Sequence, residues 1–243
     1  MSAPLVIEPR FRGPPDSGNG GYVCGLVAVA AGRPVAVRLL APPPLSTPLE
    51  LREEPATGKL LLLHGERPVA EARPFEVTVQ PPSPPSFAAA GVAAQGCTGL
   101  VHHLLPGCFV CGPQRAPGDG LRIFAGAVDG TALVAAPWTP DASLADAQGY
   151  VHPEFIWAAL DCPGFFAAPL GGALALLGEL AARIERPLAA GEACVVIGWP
   201  IESAGRKHRT GTALFGPGGE LVARAEATWV ALKPGQSPGQ SSG

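Results

Sequence analysis

The chain has 243 residues, 47% of them hydrophobic and 15% charged, with a formal net charge of -3. That is enough apolar material for one large or two small buried cores. The mild negative charge argues against nucleic acid or an anionic membrane as the main partner, because both reward a strongly basic face; a small molecule or a protein is expected instead.

Met1-Ser2-Ala3-Pro4 lacks a basic segment followed by an apolar core, and no run approaches the roughly 18 apolar residues needed to span a bilayer, so a cytoplasmic location is expected. Asn19-Gly20-Gly21 then opens an apolar segment over 22–31, with Gly32 as a C-terminal stop, which predicts a short buried helix. Segments 34–40, 49–53, 59–63 and 69–75 are separated by Pro and Gly clusters in the manner of an antiparallel meander. Residues 80–91 are too rich in Pro and small residues for a helix or a central strand and read as a linker.

Beyond the linker, Pro153 starts a second helix, and strands are expected over 193–201, 208–215 and 221–232, the last two joined by Gly216-Pro217-Gly218-Gly219. The tail 234–243 is uncommitted. Residues 65–72 align with 219–225 with one gap, so the order of helix and strands repeats as a degenerate internal copy. The expected organisation is a first repeat over 1–79, a linker over 80–106, a second repeat over 107–233 and a flexible tail.

Gly149-Tyr150-Val151-His152-Pro153-Glu154 leads into the second helix, and Asp161 follows His152 by nine residues. That order resembles the hotdog-fold thioesterases of the phenylacetyl-CoA thioesterase type, whose motif is His-Gly-Gly at the start of the central helix and an acid about two and a half turns later. The resemblance implies an α+β fold, a tandem double hotdog in which each repeat is a helix wrapped by an antiparallel sheet. It further implies hydrolysis of an acyl-CoA thioester, no cofactor beyond the coenzyme A of the substrate, no resident metal, and further association into a homo-oligomer.

Carried over residue by residue, the motif is split between the halves. His152 and Asp161 keep the spacing, but Pro153 and Glu154 replace the glycines, and proline has no N–H to donate. Asn19-Gly20-Gly21 keeps both glycines with Asn in the His position, while the acid position falls on Ala28. The two halves would then complement each other, with Gly20 and Gly21 amides as the oxyanion hole and Asp161 as base or nucleophile. The opposite pseudo-site, Pro153 with Ala28, would be dead. Read without the resemblance, Pro153-Glu154 is a good helix start, Asp161 is a polar residue at a helix end, and the glycines serve helix packing.

Arg206-Lys207-His208-Arg209 stands where such enzymes hold the phosphates of coenzyme A, and Asn19 and Trp157 would add to substrate binding; an edge that discourages strand pairing accounts equally for the cations. Leu26, Phe155, Trp157 and Phe165 would line the acyl tunnel.

Of six cysteines, Cys24, Cys162 and Cys194 lie in apolar runs and read as free buried thiols. Cys108-Phe109-Val110-Cys111-Gly112 is half of a zinc pattern that Cys97 with His102 or His103 could complete. The phrase through Gly120-Leu121-Arg122 also resembles the metal-free lead-in to the first strand of these thioesterases. Cys162 as a nucleophile has no sequence-evident base. Two rivals remain: a hotdog protein that binds acyl-CoA or another hydrophobic ligand without turnover, and a hydratase, for which His152 and Asp161 lie half a helical turn out of phase.

Overall fold

The computed structural model describes residues 4–233; the tail 234–243 lies outside the described residues. The first half contains β1 (Leu5–Val6), α1 (Gly20–Ala31), β2 (Val35–Leu39), β3 (Pro48–Glu54), β4 (Lys59–His64) and β5 (Arg67–Pro74). Between the halves lies α2 (Phe87–Gln95). The second half holds β6 (Gly126–Ala127), β7 (Val134–Trp138), α3 (Pro153–Ala159), α4 (Cys162–Ala167), β8 (Ala175–Ile184), β9 (Cys194–Ala204), β10 (Lys207–Phe215) and β11 (Leu221–Ala231). No described helix is long and apolar enough to cross a membrane.

All eleven strands join one sheet in the order β1-β3-β4-β5-β2-β8-β11-β10-β9-β7-β6. Read outward from the β2–β8 seam, each half repeats one sequence of roles: the strand after the helix, the closing strand, then the two strands of the preceding hairpin, then a strand from before the helix, to which the second half adds β6. The aligned turns support this, since Gly65 and Gly219 both take positive φ (59° and 79°) just before β5 and β11. The seam is antiparallel and short, pairing Ala36 with Ala181, Val37 with Leu180 and Arg38 with Glu179. Arg73 reinforces it with an ion pair to Glu179 at 2.9 Å.

The predicted strands are present to within two residues, except that β9 runs on to Ala204. Elements β1, β6, β7, β8, α2 and α4 lie outside the expected set, and two of them shape the fold most. The ten-residue strand β8 was not foreseen, and it is the strand that fuses the two halves into one sheet. The segment read as a linker contains α2, started by Ser86, whose side chain accepts from Ala89 N–H. Ala90 and Ala93 of α2 pack with Ala135, Val195, Ile197, Ala213 and Phe215 in a small apolar cluster. Their strand neighbours Val134, Ala136 and Val196 belong to the main core instead, so α2 covers the opposite face of the sheet. Between β5 and α2 the chain crosses that outer face, with Val77 packed on Ala36 and Ala181 and the Val79 carbonyl accepting from Arg224.

On the inner face α1 and α3 lie against each other. Asn19 caps α1 through its side-chain oxygen, and Gly32 ends it in the left-handed region at φ 60°. Gly21 and Gly25, four residues apart, share one face of α1. A Cβ at Gly25 would stand 2.6 Å from the Glu154 Cα, and one at Gly21 would stand 3.0 Å from the Trp157 carbonyl oxygen. The helices therefore meet backbone to backbone, and antiparallel, since Gly21 faces the end of α3 and Gly25 its beginning.

Gly25→Ala should cost about 1–3 kcal/mol because the obstacle is backbone that cannot rotate away. Gly91→Ala in α2, where an added Cβ meets open space, should stabilise by about 0.5–1 kcal/mol. Urea unfolding of the two variants beside the parent checks both signs.

Candidate functional site

α3 ends at Ala159, and Pro163 prevents its continuation into α4. The break leaves Asp161 between the two helices. Thr212 on β10 secures the break by donating its hydroxyl to the Leu160 carbonyl at 2.8 Å. Asp161 is 2% exposed and points across the internal interface at the start of α1. There its Oδ2 accepts from Gly21 N–H at 3.0 Å and from Asn19 Nδ2 at 2.9 Å. Asn19 Oδ1 meanwhile accepts from Tyr22 N–H at 2.9 Å, so one side chain both caps the helix and holds the acid.

Asp161 Oδ1 is buried with no hydrogen-bond partner among the described residues. An orphaned buried acceptor costs about 1–3 kcal/mol and calls for a functional explanation. Burial pushes the Asp161 carboxyl up to about 7, aided by the negative Cys108 and opposed by the bonds from Gly21 and Asn19.

Asp161 lines a cavity of about 980 Å³ between the start of α1, the seam strands and α4. Leu39, Phe165, Phe166, Leu170 and Leu177 give it apolar walls, and Asn19 and Gly20 stand at the acid. Gly20 is the first residue of α1, so its N–H has no acceptor within the helix, whereas the Gly21 N–H is spent on Asp161.

The structure thus brings Asn19, Gly20, Gly21 and Asp161 together and separates other candidates from them. His152 is exposed at the start of α3, with its ring on Phe155, and does not line the cavity. The length of α3 separates it from Asp161. Trp157 is buried against Gly25 and serves the helix contact, not the cavity wall. Leu26 and Phe155 are also absent from the wall; Phe155 packs with Phe11, Tyr22 and Phe109. Phe165 does line the cavity.

Of the cations, Arg206 lines the cavity, donating to the Ala231 carbonyl at 3.1 Å. Arg209 is neutralised by Glu202 and Glu226 at 3.2 and 3.0 Å. Lys207 and Arg209 are exposed and alternate with buried His208 and Thr210, so they project from the sheet face opposite the helices. The four-residue run therefore does not act as one patch.

The segment that the sequence offered as half of a zinc pattern stands beside the acid's clamp. Cys108 Sγ lies 3.8 Å from Asn19 Nδ2 and 3.8 Å from Cys162 Sγ, the residue following Asp161. Phe109 fixes that segment: it is 0% exposed in the aromatic cluster, and its N–H donates to the Arg12 carbonyl at 2.8 Å.

No protein-family model matches the chain, and no curated protein matches it. Solved structures do. A candidate thioesterase from Novosphingobium aromaticivorans superposes with a TM-score of 0.60 at 15% identity, over 94% of this chain and 94% of that one. The tesB protein of Mycobacterium avium subsp. paratuberculosis does so with a TM-score of 0.58 at 14% identity, over 90% of this chain and 89% of that one. Both alignments run through the two halves and the seam between them.

The fold is a tandem double hotdog. Its two halves stand in one chain, and the cavity described above lies at their internal interface. Within this double hotdog the split motif has a spatial meaning: the glycines of α1 and the acid beyond α3 meet at one end of the helix pair. The antiparallel register carries Ala28 toward Pro153 at the other.

A Cβ at Gly21 would stand 2.5 Å from the Asp161 Cβ. Gly21→Ala should therefore displace the acid and cost about 1–3 kcal/mol. Asn19→Ala, which removes a helix cap and a bond to the acid, should cost about 1–2 kcal/mol. Shifts of the urea midpoint at unchanged slope would verify these losses.

Proposed function

We propose that this protein hydrolyses acyl thioesters of coenzyme A, with Asp161 as the acting carboxylate. The observation that carries the reading is the state of that carboxylate. One oxygen is clamped by the first half of the chain, and the other is buried and without a partner at an apolar cavity. A structural acid would have both oxygens satisfied. The near-full-length neighbours, one called a candidate thioesterase and the other a tesB protein, agree with this reading.

In the proposed reaction Asp161 takes a proton from water as the water oxygen attacks the thioester carbonyl carbon. Negative charge develops on the carbonyl oxygen, and the unpaired Gly20 N–H at the helix start is the donor available to it. The tetrahedral intermediate collapses with cleavage of the C–S bond. The departing thiolate takes the proton back from Asp161, leaving a free acid and a free thiol. Gly21 and Asn19 act as positioning residues, because their donors are committed to Oδ2. The leucine and phenylalanine walls suit an apolar acyl group, and Arg206 is the Lys or Arg on this cavity among the described residues that can meet a phosphate.

Free thiol release from short, medium, long and aromatic acyl-CoAs tests the reading, with Asp161→Asn run in parallel. The asparagine can still accept from Gly21 and Asn19 but cannot take a proton, so the fold should persist while kcat falls by about 100-fold or more. Equal rates in parent and variant would remove Asp161 from the chemistry. Saturable acyl-CoA binding without any release would make the protein a ligand-binding double hotdog.

A further inference from the structure

Beside Asp161 the cavity floor contains a group of side chains that thioester hydrolysis does not use. The thiol sulfurs of Cys108, Cys111 and Cys162 all lie within 4.8 Å of one another and are buried. We propose that these three cysteines bind a zinc-class cation as thiolates, leaving its fourth coordination position to face the cavity.

The separations suit a shared ion. Two sulfurs each about 2.3 Å from a tetrahedral ion stand about 3.8 Å apart, and Cys108 and Cys162 are 3.8 Å apart. A disulfide requires about 2.05 Å and would leave the third thiol unpaired.

The backbone is also shaped for metal. Cys108 and Cys111 are separated by two residues on a tight turn followed by Gly112, whose N–H donates to the Cys108 carbonyl at 2.9 Å. A Cβ at Gly112 would stand 2.4 Å from that carbonyl oxygen, so the turn excludes any side chain there. Phe109 and Val110 anchor the turn from behind, accepting from Leu121 N–H and Ile123 N–H at 2.8 and 2.9 Å. These bonds fix the turn whether or not an ion is present.

Three thiolates with all sulfurs within 4.8 Å of one another would repel strongly in a buried site. No Lys or Arg among the described residues bonds to any of the three sulfurs. Three thiolates can coexist there only around a positive ion, and soft thiolates select zinc or a similar ion over magnesium or calcium.

His103 does not complete the set. Its Nδ1 accepts from Leu105 N–H at 2.9 Å, so the ring proton sits on Nε2, which lies 3.3 Å from Cys111 Sγ. That makes His103 a donor to a ligand sulfur, the outer-shell role that orients metal ligands. Cys97 caps the turn after α2 and is outside the cluster. The proposed set differs from the completion by Cys97 with His102 or His103 that the sequence suggests, because the fold brings Cys162 to the Cys108–Cys111 turn.

The proposal is independent of thioester hydrolysis, and its test does not read activity. The reduced full chain is stripped with chelator and titrated anaerobically with cobalt(II) and then with zinc. Cysteine alkylation is mapped by mass spectrometry with and without zinc. The expected result is about one zinc per chain and a thiolate-to-cobalt charge-transfer band in the near ultraviolet that zinc abolishes. Zinc should protect Cys108, Cys111 and Cys162 from alkylation and leave Cys24, Cys97 and Cys194 unchanged. Cys162→Ala should lose the band while Cys194→Ala keeps it; should Cys162→Ala fail to fold, the parent's spectrum and protection pattern still decide. Absence of the band in the parent, or protection that does not distinguish the two sets of cysteines, would overturn the proposal.

Discussion

The close contact of α1 with α3 governs the rest of this structure. Gly21 and Gly25 let the helices approach until backbone meets backbone, and that approach brings the Gly21 amide to 3.0 Å from Asp161 Oδ2. A side chain at either position would separate the helices, and Asp161 would lose the bonds that fix it. The broken helix at Pro163, the Thr212 bond to Leu160 and the double use of Asn19 all serve that placement. The sheet matters to the site chiefly through its seam, which holds the two helices on one surface.

The two halves share an architecture but not the same residues at their helix ends. Here α1 supplies the glycine amides and the second half supplies the acid, so one end of the helix pair has both and the other neither. Proline at the start of α3 suits the first turn of that helix, where its missing N–H has no intrahelical partner to lose. The thiol cluster does not follow this division, since its two cysteines from the turn that Phe109 anchors and its one from the start of α4 all lie in the second repeat. The outer face departs further from symmetry, since α2 and the strand-like run before it cover only the second half and the seam.

Much of this was legible in the chain. Asn19-Gly20-Gly21 reads as a helix start, and Asp161 stands at the acid spacing from His152, so the complementary halves could be derived before any geometry. Other parts had no local signal. β8 is written in Ala, Leu, Glu and Arg, which favour helix in isolation, and becomes a strand because it is paired on both sides. α2 was hidden by the prolines before it, although Ser86 and the alanines that follow are a sound helix start. The run Arg206 to Arg209 misled because strand alternation sends successive side chains to opposite faces. Cys108 and Cys162 are far apart in sequence and meet only through the fold, so their proximity could not be read from spacing.

The central claim is that Asn19 acts through Asp161, across the two halves, on one reaction. A kinetic double-mutant cycle tests it most directly, comparing kcat/KM for acyl-CoA hydrolysis in the parent, Asn19→Ala, Asp161→Asn and the double variant. If the asparagine works only by holding the acid, its removal should slow the parent but cost nothing further once the acid is gone. Losses that multiply in the double variant, or an Asp161→Asn protein as fast as the parent, would contradict the account.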